Sequence, residues 1–275
     1  MRARYLAPQL ITGSSLVFGL CSIASAHQGD FRLAGWLIIY AVLCDRLDGL
    51  VARRLRATSE LGVQLDSFAD FLNFGIAPAF LMFSFLTSGP LAPELPFGSG
   101  MARVYLYASC IIWVLAAVFR LARFNIHTEE STPTRIYFGV PTTLAGGLLV
   151  IWFLAFLKYA HPGATFGGPK LLGETIVTPR GVWLALPGAM VVGAYLMASS
   201  LRMLKVGTAE SRKITIFLIV NLLSGYILGF AQLLPEYLVW MPSAWIVVFL
   251  IWGRIAEEAR DLHPPPIFPR STSGS

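Results

Sequence analysis

The stretch from Asp45 to Asp70 reads D-R-L-D-G-L-V-A-R-R-L-R-A-T-S-E-L-G-V-Q-L-D-S-F-A-D, and its four aspartates lie in or beside runs apolar enough for a bilayer. A carboxylate at mid-membrane depth costs about 2.5 to 3.5 kcal/mol on translocon scales, so Asp45, Asp48, Asp66 and Asp70 need something to compensate them. Asp45 and Asp48 are three residues apart, and Asp66 and Asp70 four apart. On helices each pair projects from one face, and two such faces turned together make a cage of four carboxylates. Oxygen ligands with no His or Cys among them suit a hard divalent cation such as Mg2+ or Mn2+. Gly49 and Ala52 lie on or next to the Asp45/Asp48 face and Gly62 opens the second arm, leaving backbone bare for a bulky ligand. The spacing points to metal plus a phosphate-bearing substrate. Acidic residues that merely cap helices or sit solvated on a loop would account for one pair, but not for both with the glycines between.

Working outward, the 275-residue chain is 56% hydrophobic and only 13% charged, against about 25% in soluble domains. That is the composition of a polytopic membrane protein. The net charge of +6 does not indicate nucleic acid, because the basic residues are scattered between apolar runs, as the positive-inside rule requires. Runs of bilayer length fall at about 7–26, 31–52, 63–86, 101–122, 140–158, 181–201, 214–234 and 239–256. The expected fold is therefore all-α with about eight transmembrane helices, in a single integral-membrane domain over 1–262. The Pro-rich and then polar tail, 263–275, is expected to be disordered. The first run also resembles a secretory signal, with Arg2 and Arg4 ahead of it and Ala24-Ser25-Ala26 behind, but its length favours a retained helix.

Placing the N-terminus in the cytoplasm leaves only Arg32, Arg103, Lys158, Lys170 and Arg180 outside, with Arg46 inside the motif and the other basic residues on the cytoplasmic side. Both termini and the aspartate site then face the cytoplasm. Cys21, Cys44 and Cys110 are far apart in apolar runs and read as buried packing residues. The chain has no zinc spacing, P-loop or G-x-S-x-G elbow.

At this point the residues match a pattern. Asp45-x-x-Asp48-Gly49-x-x-Ala52-Arg53, eight further residues, and Gly62-x-x-x-Asp66-x-x-x-Asp70 resemble the signature of the CDP-alcohol phosphotransferases (class I CDP-alcohol phosphatidyltransferases), with every fixed position present. Leu65-Asp66-Ser67-x-Ala69-Asp70, Phe74-Gly75-Ile76-Ala77-Pro78-Ala79, the run Arg120 to Asn125, and Gly139-Val140-Pro141-Thr142 look most like the family's phosphatidylserine synthase branch. Asn73 stands where that branch would have serine, and Thr142-Thr143 where a second proline often follows. The resemblance covers about residues 7–160 and implies a six-helix core, to which the last two apolar runs add two C-terminal helices.

It also implies a chemistry. Asp45, Asp48, Asp66 and Asp70 would hold two Mg2+ or Mn2+ ions, with Asp70 as general base. Asp45, Gly49, Ala52, Arg53, Gly62 and Asp66 would bind the CDP moiety. The donor is expected to be CDP-diacylglycerol in membrane lipid and the acceptor L-serine, with glycerol 3-phosphate, inositol phosphate or choline as alternatives. A homodimer in a bacterial cell membrane is the implied setting, with no nucleic acid partner. Ser67, Arg120, Arg123, Asn125 and Thr142 are candidates for binding the acceptor or a phosphate. Arginine is the natural fork for a carboxylate, yet Arg120 and Arg123 could equally anchor a helix end. Intramembrane carboxylates also occur in transporters, so a divalent-cation carrier is the reading of a different class. The gathering of the carboxylates at one membrane face, without an inverted repeat, argues against it.

Overall fold

The computed structural model describes residues 6–57, 59–128, 136–161, 166–204 and 212–255. Its helices follow the apolar runs: α1 (Leu6–His27), α2 (Phe31–Arg54), α3 (Glu60–Asp70), α4 (Ala77–Ser88), α5 (Gly100–Thr128), α6 (Thr142–Lys158), α7 (Arg180–Ala198), α8 (Arg212–Phe230) and α9 (Pro235–Ile255). The α3 and α4 helices are joined without a break by a π-helical segment, Phe71–Ile76, making one continuous rod over Glu60–Ser88. The protein is an all-α polytopic membrane protein. Outside the helices, β1 (Ile136–Phe138) pairs antiparallel with β2 (Arg202–Leu204), Tyr137 opposite Met203. Strands of three residues carry too little alternation to be read from sequence.

Among the described residues five helices are long and apolar enough to cross a membrane by length and composition: Leu6–His27, Glu60–Ser88, Gly100–Asn125, Arg180–Ala198 and Pro235–Ile255. The α2 helix falls short of that measure because the motif loads it with Asp45, Arg46, Asp48, Arg53 and Arg54. The tail 263–275, together with Arg2, Arg4, Arg135, Lys205, Arg260 and Arg270, lies outside the described residues.

Local chemistry sets the two helix ends that matter most. Asp30 caps α2, its carboxylate accepting from the Leu33 amide at 2.9 Å, while Arg53 and Arg54 occupy the last turn, where the helix dipole is negative. Ser59 caps α3 by accepting from the Gly62 amide at 3.1 Å, with Glu60 in the first turn. Asp66 of α3 thereby meets Asp45 and Asp48 of α2.

Packing around the rod keeps that geometry. The α1 helix buries a stripe of small residues, including Thr12, Ser15, Gly19, Ser22 and Ser25, which lets it lie close on α2. A Cβ at Gly19 would overlap the Asn73 side chain, and one at Gly146 would come within 2.8 Å of Phe74, so α1 and α6 close on the π segment only because both positions lack side chains. Farther along, Phe85 stands edge-on to Phe31 and Phe153, with ring centroids 5.3 and 5.0 Å away, and Trp183 completes the cluster. The cysteine expectation needs correction: Cys21 is exposed on the outer face of α1, and Cys44 and Cys110 are only half-buried. A thiol is apolar enough to face lipid, so an apolar run does not by itself place it inside.

Candidate metal centre

Asp45 and Asp48 project from the C-terminal half of α2, and Asp66 from α3. One carboxylate oxygen from each lies within 4.8 Å of the others, a grouping that could hold a metal ion. Asp70, the last α-helical residue before the π segment, sits against Asp45 within hydrogen-bonding distance. A π turn displaces the residues around it from the ordinary helical phase, and such turns recur at functional sites. Here the Phe74 carbonyl of that turn accepts from the Trp113 indole at 3.0 Å, which fixes the rod against α5.

The surroundings divide the residues expected at the site. Arg120 is buried on α5, its guanidinium over the Phe124 ring, and its charge bears on both Asp45 and Asp70. Arg123, one turn further, is committed elsewhere: it donates to the carbonyls of Ala198 (3.2 Å), Phe138 (2.9 Å) and Ser199 (2.8 Å). That arrangement ties α5 to the end of α7 and to β1. Asn125 and Ser67 pair across α5 and α3, the amide donating to the hydroxyl at 3.0 Å. Thr142 is buried at the first turn of α6, and its Oγ1 has no hydrogen-bond partner among the described residues. Its neighbour Thr143 lies beside Asp45.

On the α2 side, Arg53 folds back so that Nη1 would be 3.3 Å from a Cβ at Gly49. A side chain there would displace the guanidinium from beside Asp48, on which its charge acts. Ala52 is half-buried, and Gly62 donates its amide to Ser59 in the first turn of α3. Asn73, by contrast, turns into the core and donates to Ser15 Oγ at 2.7 Å, so this departure from the expected serine is a packing contact with α1.

Two residues at the centre carry no sequence signal. Thr12 of α1 places Oγ1 2.8 Å from Asp48 Oδ2, and Thr143 reaches Asp45 from α6. Threonine is common in apolar helices, where its hydroxyl usually closes on a carbonyl of its own helix, so neither could be distinguished before the fold brought it to a carboxylate.

Oxygen donors alone, gathered this closely on two rigid helices, fit a hard divalent cation such as Mg2+ or Mn2+ and fit soft metals poorly. The fold and this grouping define a polytopic membrane protein with a carboxylate cluster that could hold a metal ion. Residues 5–253 match the family model described as CDP-alcohol phosphatidyltransferase, and the chain belongs to that family. Curated relatives named CDP-diacylglycerol–serine O-phosphatidyltransferase are similar to it in three organisms. The Helicobacter pylori protein is 36% identical over 155 residues, covering 56% of this chain and 60% of its own length. The Mycobacterium tuberculosis protein is 30% identical over 251 residues, 87% of this chain and 82% of its own. The Bacillus subtilis protein is 35% identical over 173 residues, 63% and 89% respectively. The chain thus spans somewhat under two thirds of the Helicobacter relative, 60%, and most of the other two.

Proposed function

We propose that the protein transfers a phosphatidyl group from CDP-diacylglycerol to the hydroxyl of L-serine, giving phosphatidylserine and CMP. The observation that carries this reading is the meeting of Asp45, Asp48 and Asp66 at the rod, with Asp70 and Arg120 beside them. The names of the relatives supply the donor and the acceptor.

Asp45, Asp48, Asp66 and Asp70 are the residues that hold Mg2+ or Mn2+, two ions in this reading. When bound, metal supplies positive charge that offsets the pyrophosphate and the departing CMP. Gly49, Ala52 and Gly62 leave room for the CDP moiety, and Arg53 lies at its edge. Asp70 accepts the proton of the serine hydroxyl as that oxygen bonds to the phosphorus bearing diacylglycerol. The bond from that phosphorus to the bridging oxygen breaks, and the oxygen leaves with CMP. Arg120 forks the serine carboxylate, with Ser67, Asn125 and Thr142 lining the same space and Arg123 holding its wall.

The donor's acyl chains lie between lipid-facing helices, which explains why the transferase is embedded in the bilayer. The site and both termini face the cytoplasm of a bacterial cell, a reading supported by Arg53, Arg54, Arg202 and Arg254 at the aspartate end of the bundle. The protein works as a homodimer, which mass measurement in detergent tests.

The deciding experiment is CMP release by purified protein in mixed micelles of CDP-diacylglycerol with Mn2+ or Mg2+. L-serine, glycerol 3-phosphate, inositol phosphate and choline are supplied in turn, with Asp70→Asn as control. Release with serine alone is expected. Release with another acceptor overturns the serine assignment, and no release with any of them, from protein that still binds CMP and metal, overturns the transfer reading.

A further inference from the structure

The hydroxyls on the α1 stripe do not all do the same work. Ser22 donates to the Ala34 carbonyl at 2.8 Å and Ser15 reaches the Ala41 carbonyl at 3.5 Å, so both close on the backbone of α2. Thr12, 6% exposed, instead lies 2.8 Å from Asp48 Oδ2 and 3.1 Å from the carbonyl of Pro8 in its own helix. A hydroxyl has one proton to give. The carboxylate is the nearer acceptor and the charged one, and such bonds are about twice as strong as neutral ones. The Pro8 carbonyl is the local alternative available when the carboxylate is absent.

Asp48 is itself buried, at 6% exposure, and is one of the three carboxylates that converge on the centre. A carboxylate can rotate about its terminal bond and present either oxygen, so a ligand of this type binds best when one oxygen is fixed by a neighbour. Thr12 supplies that contact from a helix that contributes no carboxylate of its own.

We propose that Thr12 is a positioning residue of the metal centre: its hydroxyl holds Asp48 Oδ2 and so presents the other oxygen to the cation. The inference rests on the reading of the aspartates as a metal centre. It gives α1 a part in function beyond packing.

The test measures Mn2+ binding to the full-length protein in detergent, without nucleotide or lipid donor, from the paramagnetic resonance signal of free Mn2+. Thr12→Val keeps the shape and removes the hydroxyl, Thr12→Ser keeps the hydroxyl, and Asp48→Asn reports on the centre itself. Thr12→Val should raise the Mn2+ Kd about tenfold, as loss of a partner that orients a ligand does, while Thr12→Ser stays within about twofold of the natural protein. A natural Kd in Thr12→Val alongside lost binding in Asp48→Asn overturns the role of Thr12 and leaves the metal centre standing. Natural binding in Asp48→Asn overturns the centre, and the role of Thr12 with it. Should Thr12→Val not fold, Thr12→Ala is compared with Thr12→Ser: weaker binding in the first alone supports the proposal, and equal binding refutes it.

Discussion

The two ends of the helix bundle treat buried charge in opposite ways. At the end away from the aspartates, the Lys158 side chain is 0% exposed, and its ammonium donates to Glu236 Oε1 (2.7 Å) and Oε2 (3.0 Å) and to the carbonyls of Gly167 (3.0 Å) and Pro169 (2.8 Å). Glu236 Oε1 accepts in addition from the Tyr159 hydroxyl and the Leu171 amide, each at 3.1 Å. Lys158 and Glu236 are answered within the chain, and the result pins the segment after α6 to the start of α9. At the aspartate end, the carboxyl groups of Asp45, Asp48 and Asp66 converge, with Asp70 against Asp45, met by Thr12 and the charge of Arg120. Carboxyl groups crowded together in this way are suited to sharing a cation. The matched network fits a structural role, and the unmatched one is a group of carboxylates that could hold a cation.

Substitution should separate the two ends cleanly. The largest effect is expected from Asp70→Asn, which should lower turnover about 10²- to 10⁴-fold, the range of a lost general base, with the melting temperature little changed. Near-natural CMP release by that variant would remove Asp70 from the chemistry. Glu236→Gln should do the reverse. Leaving Lys158 buried without a countercharge costs about 3 to 5 kcal/mol, so melting should fall by several degrees while turnover per folded molecule persists. The double variant Lys158→Met/Glu236→Leu should recover most of that loss, and failure to recover would mean that the network does more than hold the fold.

Ligands should act on the aspartate end alone. CMP with Mn2+ at about 100 times Kd should stabilise the protein by about 2.7 kcal/mol. Stabilisation by Mn2+ with no further gain from CMP would favour the cation-carrier reading instead. The smallest contrast lies within one helix. Arg120→Gln should raise the serine KM about tenfold, as loss of a charged contact of about 1.4 kcal/mol does, whereas Arg123→Gln should lower the melting temperature and leave that KM unchanged. The opposite pattern would exchange the parts given to the two arginines.

That last pair shows how far sequence reasoning reaches. Arg120 and Arg123 are three apart and share a face by helical period, so the sequence offered both alike as candidates for an anion or as anchors of a helix end. What sets Arg123 apart is the end of α7 and the β1 strand, whose carbonyls accept from its guanidinium. Neither element is close in sequence. Asn73 is similar: the sequence marked it as a departure from the expected serine, while the fold gave it to Ser15, 58 residues earlier.

By itself the sequence determined the number and order of the apolar helices, the aspartates and their pairing, and the kind of cation they suit. Those properties depend on hydropathy over a bilayer's thickness and on helical spacing, which are local. Only the tertiary structure decided which hydroxyls orient the carboxylates, which arginine faces them, and that Lys158 finds Glu236 across 78 residues. Such pairings are set by which helices lie side by side and at what rotation. Where the hydrocarbon gives helices no strong preference for one partner over another, that choice is made by close-fitting small residues and a few polar contacts spread along the whole chain.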